Sequence, residues 1–387
     1  MQILKSEQYI NEKLDIKPIT KKRLDSFKDS SDEPKFDRLV IREFIKHYKL
    51  KWNKITKRYD CAGNVKIDED AIVNNGKLII KFGKIDGDFD CRHCKLESLE
   101  GAPQRVGGDF KCGFNNLISI KYAPQEIDGN FDCSRNKLTS LEHSPNVKGD
   151  FDCSNNKLTS LEGAPQEVGG DFDCSNNELT LLEYSPQKVG GSFLCYNNKL
   201  ITLKGVPNEI GMGFVCKQNE LVSLEYAPQK LGGGFDCSNN KLKTLKGAPK
   251  KISGSFCCEY NELKSLEYAP MVINGNFICS YNELKNLKGA PQNTICGCFN
   301  CHNNKLESLE GAPQKIEDWF ICDDNKLTTL EYAPKFVGKY FSCSNNPLVS
   351  LDGAPQEVGG DFYCKNISSD IIPKDEPNWI KGYIIKH

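Results

Sequence analysis

The chain has 387 residues, 51 basic and 52 acidic side chains, a net charge of -1 and 38% hydrophobic residues. That balance excludes a general attraction to nucleic acid or anionic membrane, and no apolar run approaches the roughly 18 residues of a membrane span. The start, Met1 to Ile10, lacks an apolar signal-peptide core, and an odd count of 19 cysteines argues against a disulfide framework, so a soluble protein of a reducing, cytoplasmic compartment is expected.

From the N-terminus, short helices are predicted over 6–14, with Ser6 as cap, and over 20–28, with Thr20 as cap and Leu24 and Phe27 inward. After the polar break Ser30–Glu33, residues 34–48 read as an amphipathic helix. Pro34 suits a first helical position, and Phe36, Val40, Phe44 and Tyr48 follow an i, i+4 pattern. Residues 1–58 are therefore a helical cap, or, over 1–33, a segment that docks elsewhere. Tyr59-Asp60-Cys61-Ala62-Gly63-Asn64 spells a degenerate half-repeat, which makes 59–88 a capping repeat that leads into the first full unit.

Residues 89–364 are periodic. A Phe-x-Cys triplet recurs fourteen times, from Cys91 to Cys364; eleven of the thirteen intervals are 21 residues, with 20 from Cys133 to Cys153 and 22 from Cys279 to Cys301. A full unit reads V-G-G-D-F-x-C-S-x-N-x-L-x-x-L-E-x-A-P-Q-x, as in Val168 to Lys188. Fourteen such units make a solenoid, which grows along one axis rather than dividing into domains. Phe and Cys two residues apart face the same side of a strand. Stacked units then form a parallel sheet with strands about 4.8 Å apart, and Phe172, Cys174, Leu179 and Leu182 fill the interior. The Asn row, Asn115, Asn136, Asn156, Asn177 and on to Asn346, turns the chain after each strand and must satisfy backbone groups if buried. Ala-Pro favours an extended return path. No helix fits between Leu182 and Pro186. Beyond Cys364, residues 365–387 form a C-terminal cap in which Ile367 replaces the ladder Asn and Ile371, Ile372, Trp379, Ile384 and Ile385 cover the last core.

Phe172-x-Cys174-x-x-Asn177-x-Leu179-x-x-Leu182 resembles the leucine-rich repeat, L-x-x-L-x-L-x-x-N-x-L, with Phe and Cys in two Leu places. At 21 residues the unit is similar to the short repeats of bacterial effector proteins and of large phage and giant-virus proteins. The resemblance implies a β-rich horseshoe with a concave parallel sheet, an extended convex side and a protein partner; a viral source, with the host cytoplasm or the virion as location, is among its implications. Effector relatives can carry a C-terminal ubiquitin-ligase domain. Only 23 residues follow Cys364, so that activity is not carried over.

A second period of 42 residues runs through Lys204-Gly205, Glu225-Tyr226, Lys246-Gly247, Glu267-Tyr268 and Lys288-Gly289. Alternating charge avoids like-charge neighbours, and alternating Tyr and Gly avoids crowded rings, so this convex row reads as structural. Cys298-Phe299-Asn300-Cys301-His302 spells a c-type haem attachment, and Cys296 extends it toward a zinc set. Phe299 and Cys301, however, hold interior places of the repeat, as do Cys91 and Cys94, so no cofactor, metal or disulfide is expected. The five histidines (His47, His93, His143, His302, His387) form no nucleophile–base arrangement, and no enzyme is expected.

What remains is the concave face, whose outward residues vary while the interior repeats. Its N-terminal part is acidic: Asp132, Asp150, Asp152, Asp171 and Asp173. Like charges about 5 Å apart need compensation; Ca²⁺ is one source, but a basic partner surface or plain solvation is favoured. The C-terminal part is apolar and aromatic: Leu194, Tyr196, Val215, Tyr260, Ile278, Tyr281, Trp319, Ile321, Tyr340 and Tyr363. Exposed apolar residues on one sheet mark an interaction site, and Trp and Tyr are common anchors. The expected function is a protein-interaction module; the alternative is an assembly protein docked through its N-terminal helices.

Overall fold

Each 21-residue unit is one rung of a β-solenoid. The computed structural model describes residues 38–67, 72–371 and 378–386. The helices predicted over 6–14 and 20–28, the docking segment 1–33 and Ile372 lie outside the described residues.

The Phe-x strands stack in register into a parallel sheet of 16 strands, with Phe151 opposite Phe172, Phe172 opposite Phe193, and so on along the stack. The phenylalanines are essentially inaccessible to solvent, and neighbouring rings lie 5.2 Å apart at Phe172–Phe193 and 5.8 Å at Phe193–Phe214. The thiols do more than pack. Cys133, Cys153 and Cys174 each donate a weak S–H bond to the next rung, to the carbonyls of Asp152, Asp173 and Leu194 at 3.3–3.4 Å. All 19 cysteines are free, and burial pushes the ladder thiols well above their ordinary pKa, which keeps them un-ionised and inert.

The Asn row meets its requirement across rungs. Asn177 Nδ2 donates to the carbonyls of Cys174 and Ser175 in its own rung and of Cys153 in the preceding one, at 3.1–3.2 Å, while its Oδ1 accepts the Leu158 amide at 3.0 Å. One side chain thus closes its own turn and clamps the neighbouring one.

The return path is a second sheet. Val168, Val189 and Ile210 and their preceding residues pair in parallel, in a sheet of ten strands that runs from Lys51–Asn53 to Lys230–Leu231 and is followed by shorter sheets of two and three strands. These Val and Ile side chains point inward opposite the Phe row and are buried. The glycines that follow them permit this closeness: a Cβ on Gly190 would lie 2.2 Å from the Gly169 carbonyl oxygen, and one on Gly211 1.9 Å from that of Gly190.

The 42-residue period has a backbone cause. Gly205, Gly247 and Gly289 have φ of 90–100°, and Leu224 N–H donates to the Lys246 carbonyl at 3.1 Å, so the glycine rung sits tight against the tyrosine rung before it. A Cβ on Gly247 would fall 2.3 Å from the Leu224 oxygen. Gly247→Ala is therefore expected to cost about 3 kcal/mol through left-handed strain plus rung separation, read as a fall in urea midpoint at unchanged m-value.

The ends are closed, with one change of register. Helix α1, described over Arg38–His47 with the predicted start at 34–37 outside the described residues, buries Phe44 against Phe82 at 6.3 Å. The half-repeat is shifted by six residues from its apparent spelling. Val65, not Tyr59, lies opposite Phe89, and Ile67 N–H donates to the Asp90 carbonyl, while Tyr59 lies opposite Phe82 in the second sheet. Val65 and Ile67 fit the interior as Phe and Cys do, whereas Tyr59 packs its ring on Trp52, 5.0 Å away. At the other end Ile384–Ile385 pair with Phe362–Tyr363, and Ile367, Ile371 and Trp379 pack against the core.

Candidate functional site

The outer face of the 16-stranded sheet carries two rows of side chains, one just before each Phe and one between Phe and Cys. The row before Phe is a hydrogen-bond ladder in the N-terminal half. Asp109 N–H donates to Asp88 Oδ1 (2.8 Å), Asp171 N–H to Asp150 Oδ1 (2.8 Å) and Ser192 N–H to Asp171 Oδ1 (2.5 Å). Asn130 and Asn276 do the same for Asp150 and Cys298. In the second row Asp132, Asp152 and Asp173 each accept the backbone amide of the Ser two residues on, Ser134, Ser154 and Ser175. The compensation that Asp150, Asp152, Asp171 and Asp173 were expected to draw from a cation, a basic partner surface or solvent is thus supplied in part from within the chain. Each of the four accepts a backbone amide. Among the described residues, no group of three or more His, Cys, Asp or Glu is placed to hold a metal ion.

The compensation is incomplete at Asp152. Burial, with the charges of Asp173 and Asp132 beside it, pushes its carboxyl up to about 6 against the serine hydrogen bonds that lower it. The native state therefore binds more protons than the unfolded chain between about pH 4 and pH 6, and stability falls as pH rises through that window. Asp152→Asn keeps an acceptor for Ser154 N–H. It is expected to gain about 2 kcal/mol at pH 7 and almost nothing at pH 4, measured by chemical denaturation at both pH values.

The aromatic part is more compact than the sequence indicates. Neighbouring places run Cys257, Ile278, Asn300, Ile321, Ser342 and Tyr363 across consecutive strands. Leu194 and Val215 pair with each other, but Asp236, bridged to Lys217 at 3.4 Å, lies between them and Cys257, so they form a separate, half-buried spot. Tyr196 is also not in the row of Tyr260 and Tyr281. It directly follows its Cys, whereas Tyr260 and Tyr281 stand one place further, where the backbone is left-handed (φ 53° and 52°) and Asn fills half of the rungs. Tyr260 and Tyr281 stack at 4.2 Å and 9°, and Tyr281 meets His302 edge-on at 4.8 Å.

In the row before Phe, the polar caps give way to Trp319 and Tyr340. Their rings stack at 5.1 Å and 15°, Tyr340 meets Tyr363 at 5.4 Å, and Lys339 Nζ lies 5.7 Å over the Trp319 ring. Trp319 remains 37% exposed. Sequence reading missed a comparable group at the N-terminal end, in the left-handed row. There Phe114 stacks on His93 at 4.3 Å and carries the Arg135 guanidinium at 4.9 Å. The signal was present, because Phe114 occupies the same place as Tyr260 in its unit.

No family model and no curated protein matches this sequence. Among solved structures, YopM from Yersinia enterocolitica is similar with a TM-score of 0.50 and 18% identity, over 84% of this chain and 86% of that one. The leucine-rich repeat domain of APL1 gives 0.48 and 18%, over 80% and 89%. The functional domain of InlJ from Listeria monocytogenes, which includes a cysteine ladder, gives 0.41 and 17%, over 74% and 73%. The fold is a leucine-rich repeat solenoid built from short units.

Proposed function

We propose that the chain is a non-enzymatic protein-interaction module whose partner seats on the C-terminal part of the 16-stranded sheet, centred on Trp319 and Tyr340 with Ile278, Ile321 and Tyr363 around them. One observation carries this reading. Along the row before Phe, Asp, Asn and Ser serve the next rung's amide in most units; Gly213, Gly234 and Cys298 omit that service without adding aromatic surface, whereas Trp319 and Tyr340 put two stacked, partly exposed rings in its place. A surface drifting neutrally has no reason to trade an acceptor for adjacent aromatics, whereas a binding surface does.

The acidic row, being satisfied by backbone amides, is assigned to the scaffold. The test is capture of partners from lysate by wild type beside Trp319→Asn, with the partner identified by mass spectrometry and then titrated in purified form. A purified partner that binds the variant as tightly as wild type would sink the proposal.

A further inference from the structure

The row of alternating tyrosine and glycine supports a second, independent site. Rung-to-rung closeness explains Gly205, Gly247 and Gly289, but not the residues between them. Tyr184, Tyr226 and Tyr268 hold φ of 67–69°, a conformation in which a bulky side chain is strained and Asn or Gly is preferred. Packing does not account for them either, since the three are 60%, 63% and 62% exposed. They stand on alternate rungs, about 10 Å apart from two strand spacings, and the residue at the same place on the rung between each pair is a glycine, with no side chain of its own.

The charges beside Tyr184 and Tyr226 cancel, and Glu267 beside Tyr268 adds a negative one, Lys288 being paired with Glu310 instead. Lys204 pairs with Glu183 and Lys246 with Glu225, each at 2.9 Å. A ridge of this kind, with no net positive charge, does not favour nucleic acid or an anionic membrane.

We infer that Tyr184, Tyr226 and Tyr268 form a stacking platform for a β-1,4-linked polysaccharide. Successive sugars in such a chain turn over, so the same apolar face recurs once per disaccharide, a length that matches the tyrosine spacing. Aromatic rings present flat apolar surface to those faces, and the flanking Glu–Lys pairs supply acceptors and donors for the hydroxyls along the edge. This site lies on the opposite side of the repeat from Trp319 and stands whether or not that surface binds a protein.

The test is co-sedimentation of the full chain with insoluble chitin and, separately, with microcrystalline cellulose. Wild type is compared with Tyr226→Asn/Tyr268→Asn and with Trp319→Asn. Asn suits the left-handed backbone, so the double variant should keep or raise its melting temperature while its retention falls at least tenfold. Trp319→Asn should sediment like wild type. Retention on chitin alone, cellulose alone or both supports the platform and names the sugar. Wild type left in the supernatant with both matrices, or a double variant retained equally, overturns it.

Discussion

Asn177→Leu is expected to lower stability by about 4 kcal/mol, the largest effect of any single ladder change. The amide is 8% exposed and makes four backbone contacts across two rungs. Leucine is close in size, so no large cavity forms. The cost arises mainly because the buried Leu158 amide loses its partner, worth about 1–3 kcal/mol, and because three further bonds are lost at about 1 kcal/mol or less each, the carbonyls of Cys153, Cys174 and Ser175 keeping Asn156 Nδ2, Asn198 Nδ2 and the Asn155 amide.

The position has a further consequence. Stability in a solenoid is a sum of unit and interface contributions, so weakening one central interface should split a single unfolding transition into two. Urea denaturation followed by circular dichroism reads both effects. A loss below about 1 kcal/mol would mean that the turn relaxes to let water replace the amide. Asn176→Gly, at a half-buried left-handed position with φ of 54° whose side chain bonds only other side chains, is the milder comparison.

The second large effect concerns binding. Trp319→Asn should weaken the partner about 100-fold or more, in the range of a hot-spot aromatic, while stability holds or rises slightly. Asparagine is what Asn276 uses at the same place in its rung, where its Oδ1 accepts the Cys298 amide at 2.9 Å; at 319 it would accept the Tyr340 amide. The substitution therefore restores a scaffold contact as it removes the ring, which separates a loss of binding from a loss of fold. Tyr340→Asn should weaken binding as well, and the double variant should lose less than the sum, because each ring is held by stacking on the other. Additive losses would mean that the two rings contact the partner independently.

Interior places were legible because every unit solves the same packing problem. Phe172, Cys174, Leu179 and Leu182 recur at fixed spacing and are all fully buried. The short interval before Cys153 and the long one before Cys301 leave the Phe register intact, with Phe131 opposite Phe151 and Phe277 opposite Phe299. The opening half-repeat was misread for the same kind of reason. Tyr59 and Cys61 imitate the Phe-x-Cys spelling, but Val65 and Ile67 fill the space beneath Phe89 and Cys91.

The outward rows were legible only in part. Composition along them separated acidic from aromatic ends, yet it could not tell Asp150, tied to the Asp171 amide, from a carboxylate awaiting a cation. The offset of Tyr260 from the row of Tyr196 could be counted from Cys258 and Cys195, but that Tyr260 stands in a left-handed turn is set by the backbone.

The sequence by itself determined a solenoid of fourteen units, its buried Phe, Cys, Leu and Asn rows, and the absence of room for a helix on the return path, because these follow from periodicity and side-chain chemistry within one unit. Tertiary structure alone decided the second sheet, the tight glycine rungs and the replacement of polar caps by Trp319 and Tyr340. Each of these depends on which backbone atom of the next rung lies within hydrogen-bonding or contact distance, about 21 residues along the chain but one strand spacing away in space.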